Sequence, residues 1–89
     1  MAVFKIRRHL GEISRDELDA AAYRALVCSY QFDDLKWLRS YWEPKLGDIT
    51  CIYEAHDADQ LLAHSLQSRI PCDDVSEVTE VTPEPLIRG

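Results

Sequence analysis

The sequence has no apolar run long enough to cross a bilayer, and its amino terminus lacks the basic-then-apolar pattern of a secretory leader. The residues after Met1 alternate like a strand instead. Neither a membrane span nor a signal peptide is expected, and the cytoplasm is the expected compartment. Cysteine is scarce: Cys28, Cys51 and Cys72 are an odd set with no Cys-x-x-Cys pair. That spacing argues against a disulfide framework and a structural zinc site, and for reduced thiols. Basic charge is short as well. Ten Lys/Arg against sixteen Asp/Glu give a formal net charge of −6, which argues against nucleic acid or an anionic membrane as partner. The deficit lies in the second half, since residues 1–45 hold eight basic against seven acidic side chains and residues 46–89 hold two against nine. There is no His-x-x-x-His pair, no matched acid–base pair and no nucleophile triad.

What is present is the material of one small domain. A chain of 89 residues buries only about two-thirds of its unfolded surface, so its stability is thin unless an assembly adds to it. Residues 2–9 alternate, with Phe4 and Ile6 on one side and Val3, Lys5, Arg7 and His9 on the other, which predicts a strand. Ser14-Arg15-Asp16-Glu17 is a capping box, and Ile13 and Leu18 stand where a hydrophobic staple would. The stripe Leu18, Ala22, Ala25, Leu26 and Ser29 follows at helical spacing, so a helix is expected from there to between Tyr30 and Asp33. Leu35 to Glu43 reads as a second strand, with Leu35, Trp37, Arg39 and Tyr41 on one face. Pro44 to Asp48 has hairpin-loop composition.

The third strand, Asp48-Ile-Thr-Cys-Ile-Tyr-Glu-Ala, is apolar on both faces and runs into a helix start at Asp57. The second helix has the stripe Ala58, Leu61, Leu62, Ser65 and Arg69, with His64 expected on its exposed flank, and ends at Ile70-Pro71. Asp74 to Thr82 alternates as a fourth strand. Pro83 and Pro85 then leave residues 84–89 as a tail beyond a domain of residues 1–83. Strand, helix, strand, strand, helix, strand is the split βαβ order of a ferredoxin-like α+β domain, with both helices on one face of a four-stranded antiparallel sheet in the order 4-1-3-2.

In that fold Phe4, Ile6, Ile52 and Val78 are expected to face the helices. Trp37, Tyr41, Cys51 and Tyr53 are then expected on the other face, beside Lys5, Arg7, His9, Arg39 and Glu77. Those rings are too apolar to leave in water. A second copy of the sheet would cover them, giving a homodimer of the dimeric α+β barrel kind.

Arg8-His9-Leu10, Trp37 with Ser40-Tyr41, Cys51-Ile52-Tyr53-Glu54-Ala55, His64, Pro71 and Glu77-Val78 together resemble a small ferredoxin-like family of unknown function. That family includes an actinobacterial nickel-responsive, nickel-binding protein. The resemblance spans roughly residues 2 to 82, and departs from the family pattern at His56, at Cys72 and over Cys28 to Asp34. It implies a dimeric ferredoxin-like fold and nickel as the metal, with no organic cofactor. Imidazole, carboxylate and water suit nickel, so the candidate ligands are His9, His64, Glu54 and Glu77, with Cys51 a further one. Arg7, Trp37, Arg39 and Tyr53 are the candidate pocket wall. The alternative is a cofactor-free dimeric α+β barrel enzyme, monooxygenase- or isomerase-like, holding a small organic acid or aromatic on the open sheet face. There His9 would serve as acid or base, Arg7 or Arg39 would hold the anion, and Tyr53 would donate a hydrogen bond.

Overall fold

In a computed structural model that describes residues 2–87, the first alternating segment forms β1 (Ala2–His9), with Phe4, Ile6 and Arg8 turned inward. The capping box is formed: Ser14 Oγ accepts from the Glu17 amide at 3.1 Å, and Glu17 Oε1 accepts from the Ser14 amide at 2.9 Å. It starts α1 (Arg15–Ser29), which buries Leu18, Ala25 and Ser29 and ends at the Tyr30 cap. β2 (Lys36–Glu43) and β3 (Asp48–Ala55) form the expected hairpin. Asp57 caps α2 (Ala58–Ser68) by accepting from the Gln60 amide at 2.9 Å. The Gln60 side chain returns a bond to the amide of His56, one residue before the cap. Arg69 closes α2 in the left-handed region, at φ 59°. β4 (Asp74–Val78) completes the sheet in the order β2-β3-β1-β4, antiparallel throughout. A short helix, α3 (Glu84–Ile87), follows Pro83.

The architecture is therefore the expected βαββαβ sandwich, but three strands present different faces from those predicted. In β3 the buried side is Ile49, Cys51, Tyr53 and Ala55, while Ile52 lies on the open side. Register decides this, because Tyr53 and Cys51 pair with the inward-facing Phe4 and Ile6, and Ile52 pairs with the outward-facing Lys5. Residues paired across antiparallel strands share a face. Burying one aromatic and three apolar side chains on the helix side also leaves the more polar trio of Thr50, Ile52 and Glu54 for the other.

In β2 the pairing slips between Trp37 and Arg39, so Leu38 is an extra, unpaired residue. A bulge of this kind breaks the strict alternation. It places Trp37 on the helix side, stacked on Tyr53 at 6.4 Å between centroids, and Tyr41 on the open side. The indole N–H of Trp37 donates to Ser40 Oγ at 2.8 Å, bridging the bulge. In β4, Glu77 pairs with Phe4 and Val78 with Val3, so Glu77 is on the helix side and Val78 on the open side. β4 also stops at Val78 rather than running on to Thr82. In α2, His64 is fully buried, whereas Leu62 and Arg69 are exposed.

Gly47 fastens the hairpin to the end of β1. Its carbonyl accepts from the amides of Leu10 at 2.7 Å and Gly11 at 3.1 Å. Its φ is +71°, and a Cβ there would stand 2.8 Å from the Gly11 carbonyl oxygen. Both the backbone angle and the contact demand glycine. Gly47→Ala is expected to lower the unfolding free energy by about 1–3 kcal/mol, read as a lower midpoint in urea denaturation.

Candidate functional site

β1 ends by sending adjacent residues to opposite faces, which sets up two candidate places. His9 points to the open side at the rim. Its Nδ1–H donates to Asp48 Oδ1 at 2.7 Å, and its backbone amide donates to Asp73 Oδ2 at 2.6 Å. The first contact follows from the β1–β3 register, which puts His9 opposite Asp48. The second arises because β4 starts only at Asp74, so a side chain takes over where the ladder stops. The His9 side chain is 58% exposed, so this is a solvated pair.

Arg8 points inward and is 2% exposed. One guanidinium nitrogen, Nη1, donates to Ser65 Oγ at 2.9 Å and to the Pro71 carbonyl at 2.8 Å, which ties β1 to α2 and to the loop beyond it. Arg8 lines a cavity of about 30 Å3 between sheet and helices, together with Trp37, Cys51, Tyr53, Leu18 and Ala22. Burial pushes the Tyr53 hydroxyl up to about 12, with nearby Cys51 adding to the effect and Arg8 opposing it. His64 sits behind Tyr53, 5.7 Å between ring centroids, with Phe32 edge-on at 5.8 Å. Its Nε2–H donates to the Ala25 carbonyl at 2.8 Å, which tethers α2 to α1. Burial lowers the His64 pKa; the carbonyl contact works against this and the charge of Arg8 works with it.

The nine residues singled out from the sequence are thus distributed over three environments. His9, Arg7, Arg39 and Glu54 share the open face, with His9 opposite Asp48 at one end of β1 and Glu54 opposite Val3 at the other. Cys51, Tyr53, Trp37 and His64 belong to the layer between sheet and helices. Glu77 is exposed on the edge strand, on the helix side. Among the described residues no three His, Cys, Asp or Glu side chains gather as a metal-binding group. The imagined acid–base site is not assembled either, because Tyr53 and His9 lie on opposite faces of the sheet. Arg8, Asp48 and Asp73 are not among the candidates that the sequence offers, yet they supply the buried guanidinium and the two carboxylates bonded to His9. Asp48 meets His9 through the non-local pairing of β1 with β3, whereas the β2–β3 hairpin by itself sets it opposite Glu43.

The sequence matches the profile of the family described as nickel-responsive protein SCO4226-like over residues 4–78. The chain belongs to that family. The crystal structure of SCO4226 from Streptomyces coelicolor A3(2) superposes with a TM-score of 0.81 at 21% identity, covering 91% of this chain and all of that one. At that identity the likeness shows a shared fold. No curated protein matches the sequence. The family description, nickel-responsive, makes nickel the metal whose fit to these residues is to be considered. One chain offers an imidazole whose free nitrogen is Nε2, with Asp48 behind it. That is a fitting nickel donor but not a full set. No helix among the described residues is long and apolar enough to cross a membrane.

Proposed function

We propose that this SCO4226-like chain is a nickel-binding protein that meets its metal through His9 and works as a homodimer. The observation that carries the reading is the His9–Asp48 hydrogen bond. Metal-ligating histidines characteristically donate their second ring N–H to a carboxylate, which fixes the tautomer and raises the basicity of the ligating nitrogen. Asp48 does this for His9 and leaves Nε2 as the donor. Water and a second copy supply the remaining ligands. Calorimetric titration with nickel is expected to show saturable binding that is lost in His9→Ala. In Asp48→Asn it should weaken about 10- to 100-fold. His64→Ala removes a buried ring and its bond to the Ala25 carbonyl but no group on the open face, so the folded variant should bind as wild type does. Absence of saturable binding below the millimolar range would defeat the proposal.

The open sheet face supports the dimer. Val3, Leu38, Tyr41, Ile52 and Val78 lie along one groove, with Tyr41 61% exposed. Arg39 borders it with Glu54 and Glu80. A face with both charge signs around an apolar centre suits a two-fold contact with its own copy, since each positive group has an opposite sign to meet. Ile52→Asp is expected to turn a dimer into a monomer in light scattering without unfolding it. A wild-type protein that is monomeric at tens of micromolar would refute the dimer.

A further inference from the structure

The buried Arg8 has a feature that the nickel reading leaves unused. A guanidinium keeps its charge at any physiological pH, and burying a charge costs heavily unless an opposite charge meets it. Arg8 forms no ion pair among the described residues, whose salt bridges are His9–Asp48, Arg15–Asp19 and His56–Asp34. Ser65 and the Pro71 carbonyl, both neutral, engage Nη1, and the Tyr53 hydroxyl, also neutral at physiological pH, stands close enough to interact with the same guanidinium. Nη2 is buried with no hydrogen-bond partner among the described residues. Among the described residues Arg8 is also the one charged side chain on the wall of the cavity between sheet and helices, which is otherwise almost wholly apolar.

We propose that this cavity binds a small carboxylate anion, of formate to acetate size, with Arg8 as its counter-charge. A water molecule would satisfy the hydrogen bond of Nη2 and leave the charge uncompensated. A carboxylate satisfies both, and it matches the planar donor pattern of a guanidinium. One water needs roughly 10–15 Å3 of such a cavity, so about 30 Å3 admits a carboxylate group and little more. The apolar wall of Leu10, Leu18, Ala22 and Ile70 favours an organic anion over one that must stay hydrated. Tyr53 stands on the same wall and keeps its proton at neutral pH, so it adds no repelling charge.

The test is a titration of the full chain with sodium acetate, and separately with sodium formate, at constant ionic strength, at pH 7.5 and with a chelator present. Amide and side-chain 1H–15N shifts are followed, including the Trp37 indole and the Arg8 Nε. Saturable shifts at both groups are expected, at least tenfold weaker in Arg8→Met. Ala22→Leu narrows the cavity from α1 and leaves Arg8 in place; it should weaken binding similarly, and it decides the matter should Arg8→Met not fold. His9→Ala should bind acetate as wild type does, which separates this site from the nickel reading. The proposal is overturned by linear, non-saturating shifts, by equal responses in the folded variants, or by sodium chloride producing the same saturation.

Discussion

Tyr53→Ala is expected to destabilise the fold by about 3–5 kcal/mol, the range for deleting a large buried aromatic ring. The Tyr53 ring is 1% exposed, stacks on Trp37 and abuts His64, so it joins β3, β2 and α2 in one cluster. Small domains have total stabilities of about 5–15 kcal/mol, so the variant should be partly unfolded or close to it at room temperature. Urea denaturation measures the loss as a shift in midpoint at unchanged slope. Tyr53→Phe keeps the ring and its contacts and gives up one hydroxyl, so its cost should be about 1 kcal/mol. A loss under about 1 kcal/mol for Tyr53→Ala would mean that the ring lies on the open face, as strand periodicity alone suggested.

That alternative shows where sequence reading stops. The order of β1 to β4 with α1 and α2 was legible because these two helices announce themselves chemically: Ser14 with Glu17 and Asp57 with Gln60 are caps whose hydrogen bonds form as their residue types require. The short α3, in a stretch that reads as a tail, was not. Strand existence was legible from alternation. Which side of β3 meets the helices was not, because Ile49, Cys51 and Tyr53 alternate with Ile52, and either side offers apolar bulk. The tie is broken non-locally, by pairing with Phe4 and Ile6. Leu38 misled in another way, since a bulge inserts one residue into a regular pattern and reverses every assignment before it.

The β3 tie and the β2 bulge account for some of the site residues only. His9 was placed correctly on the open face because β1 has an unambiguous apolar side. Trp37, Cys51 and Tyr53 lie on the opposite face from the expected one, as does Glu77 on β4, whose face is set by pairing with Phe4. Arg8 shares the inward side of β1 with Phe4 and Ile6, but nothing local shows what a charged side chain would meet there. Only the tertiary partners Ser65 and Pro71, 57 and 63 residues away, reveal it as buried. The helical stripe of α2 alone leaves His64 on a flank, and it is α1 that covers it, through the carbonyl of Ala25.

His64 also makes stability depend on pH, with the second large effect. Its pKa is lowered in the folded state, first by burial and further by the charge of Arg8, with the Ala25 carbonyl working against both. The unfolded chain therefore binds more protons at this group than the folded one in mildly acid solution. By linkage its contribution is fully present above the unfolded value near 6.5 and is lost as pH falls below it, by at most about 1.4 kcal/mol per pH unit. Unfolding free energies measured in urea between pH 7.5 and 5 are expected to fall accordingly. His64→Gln removes the titrating group while keeping an N–H that can reach the Ala25 carbonyl. It should be less stable than wild type at pH 7.5, and the gap should narrow steadily toward pH 5. Parallel curves for the two proteins would show that His64 takes up its proton as readily folded as unfolded. The ring would then be reached by water, and the cluster of Tyr53, Phe32 and His64 would not be the closed core that holds α2 against α1.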